Sequence, residues 1–198
     1  MTAVPARKAD GYTYRDYLQF PDELRCEIMD GEIFDMTPAP TTGHQGLVVS
    51  LAVVLENHLR DRALPCRVFV SPVDVILSEK DVVQPDVVIV CDRSKIRRQG
   101  IFGPPDVVFE VLSPSTESKD RRKKKGLFER SGVREYFLAN PEAEFVEKYT
   151  LTSTGYGIPL LYEGKETFNI EAIGLELTVQ DLFPPYRYAE EQTVSPEA

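Results

Sequence analysis

Residues 106–116 read DVVFEVLSPST. By length and β-branched content the run through Leu112 reads as a buried strand. Glu110 stands in the middle of it, among Val107, Val108, Phe109, Val111 and Leu112. An ionised carboxylate in such a strand is prohibitively costly unless it is protonated, hydrogen-bonded, paired with a cation or holding a metal. The rest of the chain must supply the partner.

Outward from that strand, RVFV (67–70), VDVIL (73–77) and DVVIVC (86–91) read as further strands. LRCEIMDGEIFDM (24–36) reads as a hairpin, with Asp30-Gly31 in the tight turn. YTYRDYLQF (12–20) reads as a short helix ending at Pro21. From Gly43 to Arg60, Leu47, Val48, Leu51, Val54, Leu55 and Leu59 recur at helical spacing, and Thr42 with Gln45 forms a capping box at its start. A basic helix covers 117–131, closed by Gly132. REYFLA, EFVEKYTL, GIPLLY and TFNIEAI supply later strands. This order predicts an α/β fold: a mixed sheet with helices packed on it and an N-terminal hairpin.

The length of 198 residues, 42% hydrophobic and 28% charged, suits one globular domain. We expect it to span 12–185, with an N-terminal tail (1–11) and a polar C-terminal tail (186–198). No apolar run is long enough to span a bilayer and no signal-peptide core precedes the domain, so a cytoplasmic protein without membrane contact is expected. Cys26, Cys66 and Cys91 are scattered singly, which argues against a zinc ribbon or a disulfide framework. A net charge of −9 argues against a general nucleic-acid coat, although RSKIRR (93–98) and KDRRKKK (119–125) concentrate positive charge locally.

Two carboxylates are not explained by core packing. If the strands of Asp86 and Glu110 are neighbours, both side chains can point to one spot, and oxygen-only ligands favour Mg²⁺ or Mn²⁺. A turn residue for Asp86 and an arginine salt bridge for Glu110 are the simpler readings. On the basic helix, Leu127 and Phe128 fix the buried face, and Asp120 and Lys124 share its stripe, so Lys124 faces inward. It reads either as a site lysine or as a plain ion-pair partner of Glu110. His44, at the start of the long helix, is placed to approach an anion or to make a local capping bond. His58 reads as a structural or rim histidine, and Glu27 as a cross-strand charge on the hairpin. No phosphate loop, nucleophile elbow or H-E-x-x-H motif is present.

The strings PDVVIV (85–90) and PDVVFEVLSPST (105–116), then Asp120-x-x-x-Lys124, then GVREYFLANP (132–141), resemble the Uma-two family of restriction-endonuclease-like proteins. That family belongs to the PD-(D/E)XK nuclease-like superfamily. EIMDGE (27–32) and TPAPTTGHQ (37–45) also resemble its pattern, and the likeness runs from about Tyr14 to about Tyr156. The resemblance implies a restriction-endonuclease-like mixed central sheet flanked by helices, acting as a homodimer on nucleic acid, DNA first. It implies Asp86 and Glu110 as metal-binding acids, joined by Glu27, with His44 and Lys124 completing the catalytic set and Asp120 and Gln45 beside it. The superfamily's lysine position, two residues after the glutamate, is Leu112 here, and the resemblance passes the role to Lys124. Phe128, Phe137 and Asn140 depart from the residues common in the family. The implied reaction is Mg²⁺- or Mn²⁺-dependent phosphodiester hydrolysis by an activated water. The competing expectation is a catalytically silent nucleic-acid- or protein-binding module on the same fold.

Overall fold

A computed structural model describes residues 8–21, 23–36 and 39–183. The chain runs α1 (Tyr14–Tyr17), β1 (Cys26–Met29), β2 (Glu32–Asp35), α2 (Thr42–Asp61), β3 (Arg67–Val70), β4 (Val75–Ser78), β5 (Asp81–Val83), β6 (Val87–Val90), β7 (Ile96–Arg97), β8 (Gly100–Phe102) and β9 (Val107–Val111). It continues through α3 (Glu117–Lys119), a π turn (Asp120–Lys124), α4 (Lys125–Ser131), β10 (Glu135–Asn140), β11 (Phe145–Thr150), β12 (Leu160–Glu163), β13 (Thr167–Ile170), β14 (Leu175–Thr178) and α5 (Val179–Leu182). The expected tails fall largely on 1–7 and 184–198, outside the described residues.

The mixed α/β architecture is the expected one, but the strands divide into more than a single sheet. One six-stranded sheet has the order β12-β11-β10-β9-β6-β3, a second has β2-β1-β5-β4-β8-β7, and β13-β14 form a small third. In the first, β9 pairs parallel to β10 and antiparallel to β6, so it is central and buried along its whole length. Alternation sends Phe109 and Val111 to one face, where they join Leu47, Leu51, Leu55 and Phe137 under α2. Val108 and Leu112 go to the other face, with Leu127, Phe128, Tyr136 and Leu138. Glu110 shares that second parity, so it points at α4 and the second sheet.

Three details correct the sequence reading. The N-cap of α2 is Thr41, whose hydroxyl accepts from His44 N at 3.2 Å; Thr42 is already helical and Gln45 is exposed, so the Thr42–Gln45 capping box does not form. Cys66 and Cys91 are disulfide-bonded, against the expectation of unpaired cysteines. The antiparallel register Arg67↔Val90 puts them directly across from each other, a fact that their separation of 25 residues hides. Finally β5, β7, β8 and β14 were not anticipated; the first three hold two or three residues each, too few to display a period.

The β7–β8 hairpin is pinned against β4, where Ile101 N donates to Asp74 O at 2.8 Å. Gly100 makes this approach possible: its φ is +152° and a Cβ there would lie 2.5 Å from Asp74 O. Gly100→Ala should therefore cost about 1–3 kcal/mol and lower the melting temperature by roughly 2–12 °C in calorimetry. An unchanged transition would mean that the hairpin is not held in this position.

Candidate active site

Between the two large sheets, charged side chains from three segments meet under the basic helix. Glu110 comes from the centre of β9, Glu27 from the fully buried β1, and Lys119, Asp120 and Lys124 from the helix. Leu127 and Phe128 anchor α4 in the core between the sheets, which turns the preceding turn toward both carboxylates. Lys124 Nζ lies 2.7 Å from Glu110 Oε1, 2.9 Å from Glu27 Oε1 and 3.9 Å from Asp120 Oδ1. Glu27 is also held by Lys119 Nζ at 2.8 Å on Oε2 and by Gln84 N at 3.1 Å on Oε1. The inward placement of Lys124 agrees with the helical stripe. Glu27 is no cross-strand charge: its register partner is Phe34, and it belongs to this cluster instead.

The helix is locally widened at the residues that matter. Asp120–Lys124 forms a π turn, in which Asp120 O accepts from Lys125 N and from the Tyr136 hydroxyl at 3.1 Å. Such turns insert one residue into a helix and re-aim its side chains, and they recur at functional sites. Here the turn directs Lys124 and Asp120 inward while Arg122 and Lys123 stay exposed. Arg121, between them, pairs with Glu117 and Glu147.

Asp86 sits just before β6. Continuing the register Val87↔Phe109 by one step puts it opposite Glu110 on the neighbouring strand. Its Oδ2 accepts from Val111 N at 2.8 Å and lies 3.2 Å from His44 Nε2. His44 is the third residue of α2 and is buried, and its Nδ1 has no hydrogen-bond partner among the described residues. The site thus gathers Asp86, Glu110, Glu27, Lys124, His44 and Asp120. Gln45 stays outside it, and His58 bonds Ile173 O at 3.0 Å, a structural role as expected. Lys119 and Tyr136 were missed; Lys119 is the residue that precedes Lys124 by five, a spacing that faces the same way only across a π turn.

Four carboxylates, Glu27, Glu110, Asp86 and Asp120, share two ammonium groups. Burial alone would lower the pKa of Lys124, but Glu110, Glu27, Asp120 and Asp86 outweigh it and hold the group firmly protonated. Burial pushes Glu110 well above the usual carboxylate range; Lys124 opposes this, and the neighbouring acids Asp120, Asp86 and Glu27 reinforce it. Burial also raises Asp120, against the pull of Lys124. Glu27 goes the other way: burial opposes its ionisation, but Lys124 and Lys119 together bring it below its usual value.

Among the described residues no three His, Cys, Asp or Glu side chains are gathered as a ready-made metal site. The donor chemistry nevertheless fits one hard divalent cation. Asp86 and Glu110 offer two carboxylates on one sheet face, the number through which Mg²⁺ commonly binds while keeping several waters. The crowding that raises Glu110 is relieved by added positive charge. Glu27, engaged on both oxygens, serves in this geometry to hold the two lysines.

Removing the central ammonium leaves Glu27 and Glu110 buried with less compensation. Lys124→Ala should cost about 3–5 kcal/mol in denaturant unfolding. Arg122→Ala, on the exposed side of the same turn, should stay within about 0.5 kcal/mol of the parent. Equal stabilities would remove Lys124 from its place as the charge centre.

Residues 14–180 match the Uma2 family, described as "Putative restriction endonuclease". The chain is 27% identical over 172 residues to "Uncharacterized protein slr1290" of Synechocystis sp., a match covering 85% of this chain and 89% of that protein. It also superposes with a TM-score of 0.72 on a crystal structure of "a putative nuclease belonging to DUF820" from Anabaena variabilis ATCC 29413. That match is 20% identical and covers 86% of this chain and 97% of the other, a likeness of fold.

Proposed function

The chain belongs to the Uma2 family, and from that premise we propose that it is a metal-dependent nuclease hydrolysing phosphodiester bonds in nucleic acid, with DNA as the first substrate to test. The observation that carries the reading is the buried Lys124 ammonium, shared by Glu110 and Glu27, with Asp86 across the strand pair. A Mg²⁺ or Mn²⁺ ion held by Asp86 and Glu110 would polarise the scissile phosphate and lower the pKa of a water.

The chain's own groups then have distinct tasks. Lys124 is kept charged by its acids, so it acts as a donor and not as a base: it orients the attacking water and stabilises negative charge growing on the phosphoryl oxygens. Glu27 positions Lys124 through one oxygen and Lys119 through the other. Lys119, whose side chain is 19% exposed, can follow a phosphate at the mouth of the site. His44 steadies Asp86 from the start of α2, where free backbone N–H groups also favour an anion. Arg122, on the exposed side of the helix, is free to meet the nucleic-acid backbone, and Lys123 can do so by exchanging its surface partner Glu32 for a phosphate.

A binding module without catalysis is favoured by one observation: Glu27 is fully satisfied by protein partners, so part of the acid–lysine network stands without a metal. Asp86→Asn separates the two readings, because it removes a ligand charge and keeps the side chain's shape. Mg²⁺-dependent cleavage of plasmid, single-stranded DNA and RNA should fall at least about 100-fold relative to the parent. Cleavage at the parent's rate in the variant would sink the nuclease assignment, and so would its absence from the parent with every substrate.

A further inference from the structure

Beside the charged site lies a cleft of about 400 Å³, within the ~300–1,000 Å³ typical of small-ligand sites. It opens between the edge strand β3 and the β7–β8 hairpin. Phe69, Val73 and Ile101 give it apolar walls, Asp74 and Gln84 polar ones, and Arg98 stands on the hairpin tip at its rim. The cleft adjoins the site on two sides: Gln84 donates its backbone N–H to Glu27, and Ser71, two residues beyond Phe69, donates to the carbonyl of Asp86 at 3.0 Å.

Its polar wall is rigid. Asp74 Oδ1 accepts from the Tyr17 hydroxyl at 2.8 Å and from Gln84 Nε2 at 2.8 Å, and Gln84 Nε2 also lies 3.1 Å from the Tyr17 oxygen. These bonds fix the amide's orientation, since reversing it would turn its oxygen toward the carboxylate. Gln84 Oε1 is left buried and without a hydrogen-bond partner among the described residues. The hairpin forming the other wall is held in place by backbone hydrogen bonds, Ile101 N to Asp74 O and Gly103 N to Ile76 O, both at 2.8 Å. Arg97 is committed to the Phe102 ring, with its guanidinium 4.3 Å from the centroid, whereas Arg98 is exposed and makes no ion pair among the described residues.

A carboxylate in the wall repels a phosphate from the interior and accepts from an amino group. Apolar walls with one aromatic ring suit a flat heterocycle. The free arginine suits a phosphodiester at the entrance. We propose that the cleft receives one unpaired nucleotide flanking the scissile phosphate, its base against Phe69, its exocyclic amino group toward Asp74 and its phosphate on Arg98. This inference rests on the nuclease reading for the word scissile, but the binding it describes stands apart from catalysis. A base inside a duplex cannot enter, since its faces are stacked and its pairing edge is occupied. The substrate is therefore single-stranded or carries an extruded base at this position. Thymine and uracil lack the amino group and are disfavoured.

Binding without turnover tests it: fluorescence anisotropy of labelled oligo-dA, oligo-dC, oligo-dT and a duplex of equal length, in EDTA. The parent should bind oligo-dA and oligo-dC more tightly than oligo-dT and the duplex. Phe69→Leu keeps an apolar side chain and loses the ring; it should weaken oligo-dA about tenfold while a cooperative melting transition shows that the variant stays folded. Arg98→Ala, on an exposed turn, should weaken all single strands alike and reduce the slope of log affinity against log salt by about 0.7. Asp74→Asn, which can keep its bonds to Tyr17 and Gln84, should move the preference toward oligo-dT. Parent affinity in both Phe69→Leu and Arg98→Ala, or a parent that binds oligo-dT as tightly as oligo-dA, overturns the subsite. Cleavage by the parent despite such a result leaves the nuclease reading standing, and cleft-dependent binding without any cleavage does the reverse.

Discussion

One buried ammonium group governs the arrangement of this protein's centre. Lys124 is almost fully enclosed, and Glu27, Glu110 and Asp120 are enclosed with it. None of these charges is tolerable alone at such depth. Together they tie β1 of one sheet, β9 of the other and the helix between them into one unit, because each element contributes a charge that only the others can compensate. The cluster's geometry is thus a condition of the fold, and the lysine proposed to act in the site is also a structural one. The π turn serves the same demand: Asp120 and Lys124 share a face at i,i+4, and the widened turn brings Lys119, five residues before Lys124, to that side as well, with the Tyr136 hydroxyl donating to the carbonyl of Asp120.

The balance is deliberately incomplete in one respect. Four acids and two lysines leave negative charge in excess on the side of Asp86 and Glu110, while Glu27 is fully matched on its own side. Burial then raises Glu110 and the pair of lysines lowers Glu27, so chemically similar carboxylates in one cluster are driven in opposite directions. Environment, and not residue type, separates the acid suited to sharing a cation from the acid suited to holding lysines.

The sequence disclosed those parts of this arrangement that depend on short-range pattern. A glutamate within an apolar run marked the buried acid, and the spacing of Lys124 to Leu127 and Phe128 marked the inward lysine without reference to any family. The Asp-Gly turn and the long amphipathic α2 were equally legible. What stayed hidden depends on register or on tertiary contact. Cys66 and Cys91 meet only because β3 and β6 pair as they do. Lys119 faces Glu27 only because the helix is widened after it. The two-residue β7 and three-residue β8 carry no periodic signal, and RSKIRR therefore read as a basic patch and not as one arm of a hairpin. The cap of α2 slipped by one residue because Thr41 and Thr42 offer the same chemistry, and only the backbone decides between them.

On the proposed reading, a chain of net charge −9 must engage nucleic acid with few basic residues to spare. Several of its 23 lysines and arginines are spent on internal carboxylates: Lys119, Arg121, Lys124, Arg134 and Lys148 each pair with an acid. Lys123 likewise pairs with Glu32, so the exposed remainder near the site is small, with Arg98 on the hairpin and Arg122 on the helix. Affinity from phosphate contacts scales with their number, so so few contacts give little non-specific binding against an acidic surface. On the proposed reading, engagement then draws on contacts that plain duplex backbone does not offer, such as the Phe69 ring and the fixed Asp74 acceptor of the cleft. On that reading, in a protein of this charge fit at the site takes the place of general attraction, and discrimination among substrates begins at binding.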